Sequence, residues 1–104
     1  MVVPMGKISN HKKMITTIVT HQVKDFTVWK NGFDLGGPIR AKYGIKITAL
    51  YQSVDNPNMV TLVGEAPDVE SFNGFKSDPD LVAAMEKSGV VATPEMLMLK
   101  ETPL

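Results

Sequence analysis

The chain has 104 residues, 43% of them hydrophobic, so it is long enough for one modest domain and too apolar for the disordered class. Eleven basic residues balance eleven acidic ones, and this balance argues against a nucleic-acid-binding protein. The absence of cysteine excludes disulfides, thiolate zinc sites, iron–sulfur clusters and cysteine nucleophiles.

Residues 1–13 are predicted to form an N-terminal tail that lies against the body or a partner subunit. The segment lacks the long apolar stretch of a secretory signal. No apolar run in the chain approaches the ~20 residues that a membrane span needs. We therefore expect a soluble, cytoplasmic protein that has no membrane partner.

The first strand and helix follow the tail. Residues 14–23 are rich in β-branched side chains and carry apolar residues on both strand faces, so both faces should be covered. Asp25 is a plausible helix N-cap. Phe26, Trp29 and Phe33 then recur at i, i+3 and i+7, which is the apolar stripe of an amphipathic helix.

A break and a hairpin come next. Gly36-Gly37-Pro38 should interrupt the helix, with a second piece over 39–43 and Gly44 as its C-cap. Two strands, 45–54 and 59–66, flank a turn rich in Asp, Asn and Pro, so they should pair as a hairpin.

The last third of the chain is predicted to contain two helices and the final strand. Asp68 should open one helix, and the Asp78-Pro79 pair should open another that ends at Gly89. Residues 95–101 read as the final strand. The order of elements predicts a ferredoxin-like βαββαβ fold of the α+β class in one domain, 14–104, with a four-stranded antiparallel sheet and helices on one face. The other face would be open and partly apolar, which predicts a homodimer through it.

The chain resembles the dimeric α/β-barrel superfamily, and within it the small proteins related to antibiotic-biosynthesis monooxygenases. The residues that carry the resemblance are His21 to Trp29 with Phe33, Tyr51 to Val60, Ser77 to Leu81, Met85 and Gly89-Val90. They are turn, cap and core positions, so the resemblance implies a fold more than an activity. The superfamily includes cofactor-free oxygenases, haem-binding members, isomerases and stress-response dimers. The chain departs from the oxygenases in lacking an obvious Asn/Trp/Arg pocket set.

His21 is the main catalytic candidate, because imidazole titrates near neutral pH and this one ends a strand beside a helix cap. The alternative is a structural histidine that donates to a backbone carbonyl. Asp25 is a candidate for orienting His21 or contacting substrate, and the alternative is that it only caps the helix.

Aromatic residues supply the remaining candidates. Trp29 and Phe33 are either a wall for a flat substrate or core. Phe72 is a candidate for the same wall, with core packing as its alternative. Tyr51, expected on one strand face with Ile47 and Ala49, is either a catalytic hydroxyl that holds a substrate oxygen or a residue at the dimer edge.

Two functions follow from these candidates. The first is a small-molecule enzyme that resembles cofactor-independent monooxygenases or isomerases and acts on an aromatic or polyketide-like substrate. The alternative is a non-catalytic dimeric ligand-binding or stress-response module. The chain has two histidines and no carboxylate at ligand spacing from them, so we expect no metal site. No glycine-rich loop follows a strand, so we expect no cofactor either.

Overall fold

The computed structural model describes residues 14–104, so the predicted tail and its contacts lie outside the described residues. The elements in chain order are β1 (Ile15–Gln22), α1 (Phe26–Leu35), α2 (Gly37–Lys42), β2 (Lys46–Gln52), β3 (Met59–Ala66), α3 (Val69–Ser77), α4 (Pro79–Lys87) and β4 (Glu95–Leu99). The four strands form one antiparallel sheet in the order β2-β3-β1-β4. This is the predicted ferredoxin-like α+β fold, with each helical connection built as two consecutive helices.

The pairing of β1 with β3 sets the two faces of the sheet. Thr17 lies opposite Gly64 and His21 opposite Val60, and all four residues are buried beneath the helices. Val19 and Leu62, midway between these pairs, point to the same face, whereas Ile18 and Thr20 point to the other one. Alternation along the strands therefore separates a helix-covered face from an open one.

A β-bulge in β2 changes which of its residues face the helices. Ile47 pairs with Gly64, but the register shifts before Ala49, which pairs with Val63. Tyr51 consequently pairs with Thr61 on the open face. The prediction that Tyr51 shares a face with Ile47 is wrong, because one extra residue in a strand inverts the alternation beyond it.

Helix ends follow the predicted capping residues. The Asp25 carboxylate accepts a hydrogen bond from the Val28 N–H at 3.1 Å, and Asp68 accepts one from Ser71 at 2.7 Å. α1 ends at Gly36, and α2 continues in a new direction with Pro38 in its first turn. These caps satisfy backbone donors that a helix N-terminus leaves without partners.

Asp78 joins the end of α2 to the start of α4. Its carboxylate accepts hydrogen bonds from the Tyr43 hydroxyl at 2.6 Å, the Lys42 ammonium at 3.2 Å and the Asp80 N–H at 2.8 Å. The Tyr43 bond, with the others, lowers the pKa of Asp78 to about 2. This anchor fixes α2 over the sheet. Between residues 14 and 104, no helix is long and apolar enough to cross a membrane.

Candidate functional site

A cavity of about 90 Å³ lies between the helix-covered sheet face and all four helices. Two clusters of buried apolar residues border it, one around Trp29 and Val60 and the other around Phe72 and Ala66. The side chains that line the cavity are almost all apolar; the polar ones are Thr17, His21, Arg40 and Ser88. The cavity is thus a gap between the two halves of the core.

His21 enters this cavity from the end of β1, where the backbone is held on both sides. Val23 N–H donates to Asn58 O at 2.8 Å, and Lys24 N–H donates to Gly89 O at 2.9 Å. The Asn58 side chain also accepts from Phe26 N–H and donates to Lys24 O. The junction between β1 and α1 is therefore fixed by two distant turns.

The His21 side chain retains only 6% exposure, and neither ring nitrogen has a hydrogen-bond partner within the described chain. A buried polar group without a partner is rare and calls for an explanation. Burial lowers the pKa of His21 below its ordinary value of 6.5, because the charged form would lose its hydration. At neutral pH the ring is therefore neutral, with one N–H donor and one bare nitrogen that can accept a hydrogen bond or a proton.

A column of stacked rings forms one wall beside His21. The Trp29 indole keeps 3% exposure and meets the imidazole edge-on, with 5.4 Å between ring centroids. Phe33 stacks on Trp29 at 5.1 Å with a 25° interplanar angle. The Arg40 guanidinium then lies over Phe33, 4.0 Å from the ring centroid. These contacts place an aromatic wall and a cation in one cavity.

Arg40 is held in place from two sides. Its Nη1 donates to Phe33 O at 2.9 Å, across the break between α1 and α2. Burial lowers the pKa of Arg40, while the nearby Asp34 carboxylate raises it. Because a guanidinium stays protonated in proteins, Arg40 gives the cavity a fixed positive charge.

The structure brings together four of the six residues singled out in the sequence. His21, Trp29, Phe33 and Phe72 all line the cavity, and Trp29 and Phe72 also belong to the core. Core packing therefore applies to these two aromatic residues, and their contact with a substrate stays a prediction. The structural alternative required His21 to donate to a backbone carbonyl, and no carbonyl of residues 14–104 accepts such a bond.

The other two candidates lie elsewhere. Asp25 caps α1 and makes no hydrogen bond to His21, which agrees with the alternative that it only caps the helix. Tyr51 is 58% exposed on the open face and does not line the cavity. Its hydroxyl cannot hold a ligand that is bound beside His21 within the same subunit.

Sequence reasoning missed Arg40, Thr17 and Ser88. Arg40 follows Phe33 by seven residues, but the helix break between them hid this relation. Of the Asn/Trp/Arg pocket set that the sequence did not obviously offer, Trp29 and Arg40 both line the cavity, but no asparagine of residues 14–104 does.

Solved structures share this architecture over most of the chain. A protein of Bordetella bronchiseptica, provisionally named an antibiotic biosynthesis monooxygenase, is 18% identical with a TM-score of 0.72; the match covers 88% of this chain and 99% of that one. SnoaB of Streptomyces nogalater, described as a cofactor-independent oxygenase, is 12% identical with a TM-score of 0.68, over 88% and 96% of the two chains. A Caulobacter crescentus protein with the same provisional name as the first has 14% identity and a TM-score of 0.67, over 95% and 99%.

The chain has the fold of these monooxygenase-like proteins. At such low identities the likeness establishes the fold alone, and it agrees with the family resemblance read from the sequence. No protein-family model matches the chain, and no curated protein is similar to it in sequence. The chemistry of the cavity must therefore be argued from its own residues.

Proposed function

We propose that the protein is a small-molecule enzyme in which His21 acts as a general base on an aromatic substrate, as in a cofactor-independent monooxygenase or an isomerase. The observation that carries the proposal is the buried imidazole with two unpartnered nitrogens in an otherwise apolar cavity. Structural similarity to SnoaB supports it, since that protein is described as a cofactor-independent oxygenase.

The chemistry would begin with the transfer of a substrate proton to the bare nitrogen of His21. A neutral imidazole in an apolar site is a competent base only if the resulting anion stays beside it, because an isolated imidazolium would be poorly solvated. An aromatic substrate meets this requirement by delocalising the charge. Trp29, Phe33 and Phe72 would hold its ring.

Two outcomes are open to that anion. Return of the proton at another atom would give isomerisation. In an oxygenase, a ring CH₂ and O₂ would become a carbonyl and water, with the substrate supplying all four electrons that O₂ takes up and both protons of the water. Neither outcome requires a cofactor.

The second candidate is a non-catalytic ligand-binding module. It is favoured by a specific observation: within residues 14–104, no carboxylate lines the cavity to orient His21 or to stabilise its protonated form. A site that only holds a ligand needs the aromatic wall and a hydrogen-bond acceptor, and both are present.

The decisive experiment starts with a search for co-purified ligands by native mass spectrometry, followed by turnover and oxygen-consumption assays with aromatic compounds. His21→Ala should lower turnover by ~10²–10⁴-fold, the usual contribution of a general base. His21→Gln should keep the shape of the site and lose turnover equally. Tyr51→Phe, which changes only an exposed hydroxyl, should leave the rate unaltered. Ligand binding without turnover in the wild-type protein would favour the binding module.

We further propose that the functional unit is a homodimer that covers the open sheet face. Ile18 lies on this face between Val63 of β3 and Leu97 of β4, so its centre is apolar. A specific interface of ~1,200–2,000 Å² would remove this patch from water. Sedimentation of a stable monomer at micromolar concentration would refute the proposal.

A further inference from the structure

The size of the cavity restricts what can bind beside His21. An engineered apolar cavity of about 150 Å³ holds a benzene molecule. The cavity described above has about 90 Å³, which is less than the space for one ring. A single ring therefore fills it with small adjustments of the lining side chains, whereas the second ring of a fused polycycle would extend beyond it.

The polar side chains that line the cavity differ in how readily they can form a hydrogen bond with a ligand beside His21. Ser88 Oγ donates to Met85 O at 3.3 Å and keeps only its lone pairs free, and Arg40 Nη1 donates to Phe33 O. The other N–H groups of Arg40 belong to a guanidinium that follows Trp29 and Phe33 in the column of rings that begins at His21. Thr17 lies on the same strand face as His21 but four residues away, or about 13 Å at roughly 3.3 Å per residue. One ring cannot bridge that distance. A ligand that touches His21 therefore finds the imidazole nitrogens as its principal polar partners.

Charge in the cavity favours a neutral ligand. The fixed charge that lines it is Arg40, whose guanidinium face is covered by Phe33 and whose charge is partly offset by Asp34. A carboxylate beside His21 would lose its hydration without gaining an ionised partner there, since the imidazole is neutral. A hydroxyl can donate to the bare imidazole nitrogen at little desolvation cost.

We propose that the cavity takes an uncharged ligand of about one aromatic ring that donates a single O–H hydrogen bond to His21. The inference rests on the proposed function in that it concerns the same site, and it names the substrate class more narrowly. Under the proposed chemistry, the same hydroxyl would be the group that gives its proton to His21.

The test compares four probes by isothermal titration calorimetry and by NMR of the full-length protein: phenol, toluene, benzoate and 1-naphthol. Toluene matches phenol in shape but has no donor, so phenol should bind roughly 2- to 10-fold more tightly, the range of one net hydrogen bond. Benzoate should not saturate the site. 1-Naphthol should bind more weakly than phenol, because its second ring exceeds the cavity.

Two variants identify the groups responsible. His21→Leu should bind toluene as well as the wild type does and lose the preference for phenol. Tyr51→Phe, which changes a hydroxyl on the open sheet face, should leave phenol binding within about twofold of wild type. Because the wild-type comparison of phenol with toluene needs no variant, poor folding of His21→Leu would not weaken the test.

Several results would overturn the inference: equal binding of phenol and toluene, no binding of phenol, tighter binding of 1-naphthol, or benzoate binding that Arg40→Met abolishes. None of these readouts depends on turnover. If phenol binds as expected but no compound is turned over, the proposed enzyme fails and this inference stands. If a polycyclic substrate is turned over through His21 while phenol does not bind, the proposed enzyme stands and this inference fails.

Discussion

Trp29 is the residue on which both the fold and the cavity depend. It is almost fully buried, stacks on Phe33 and makes an edge-to-face contact with His21. Trp29→Ala should lower the free energy of unfolding by ~3–5 kcal/mol, because a large cavity replaces the indole. This is a large share of the ~5–15 kcal/mol typical of such a domain. Urea unfolding followed by circular dichroism would measure the change.

The matched control is Val28→Ala, one residue earlier in α1. Val28 is 55% exposed, so its truncation should change stability by no more than about 0.5 kcal/mol. If Trp29→Ala unfolds within about 1 kcal/mol of the wild type, the indole is not the packing centre that the structure describes.

Protonation of His21 should make the free energy of unfolding depend on pH. Burial sets its folded-state pKa below 6.5, so the unfolded chain binds more protons in the interval between the folded pKa and 6.5. Unfolding free energy should therefore rise with pH across that interval and fall as the solution is acidified through it.

Histidine ring signals in an NMR pH titration would measure this pKa directly. A His11→Gln variant would assign the second histidine of the chain. The stability of His21→Gln should vary less with pH than that of the wild type between pH 5 and 7. A His21 pKa at or above 6.5 would contradict the description of a desolvated, unpaired ring.

At the scale of elements, close packing between β2 and β3 allows another test. A Cβ on Gly64 would lie 2.6 Å from Lys46 O and 3.2 Å from Ile47 Cδ1, next to the bulge. Gly64→Ala should therefore destabilise the fold by ~1–3 kcal/mol, because backbone cannot move as easily as a flexible side chain. Thermal and urea unfolding would measure it.

Gly37→Ala is the companion variant. A Cβ there meets only the Arg40 guanidinium at 3.9 Å, and the position is helical. Alanine should be neutral or stabilise by up to ~1 kcal/mol. Equal effects of the two substitutions would show that the tight approach at Gly64 is not a constraint.

The sequence was sufficient to predict the strands, the helices and most helix caps. These features depend on local signals: apolar residues alternating along a strand, apolar residues at helical spacing around Trp29, and capping residues such as Asp25 and Asp78. It was not sufficient for Tyr51 or Arg40. The face of Tyr51 depends on a bulge set by pairing with β3, which no local pattern reveals. The position of Arg40 depends on the angle at which α2 leaves α1, and this angle is fixed by the distant Asp78 anchor.

At the scale of the whole molecule, the open sheet face should control assembly. Ile18 lies at its centre, so Ile18→Lys would place charges of like sign near each other across a twofold interface. Such juxtaposition costs several kcal/mol, which corresponds to a loss of at least ~100-fold in dimer affinity. Sedimentation velocity would measure the shift to monomer.

Val54→Lys is the control for that experiment, since Val54 is fully exposed in the β2–β3 turn. It should sediment as the wild type does. If Ile18→Lys also stays dimeric and folded, the subunits associate through another surface.

The burial of Trp29 has an optical consequence. It is the only tryptophan in the chain, so all indole fluorescence comes from one place in the molecule. That indole contacts the His21 imidazole, which is expected to titrate. It also lines the cavity that is proposed to bind an aromatic ring. Emission from the unlabelled protein therefore carries three signals: a blue-shifted band for the folded core, quenching as His21 gains a proton, and a further change when a compound enters. A library of aromatic compounds can be screened against this chain with a plate reader alone.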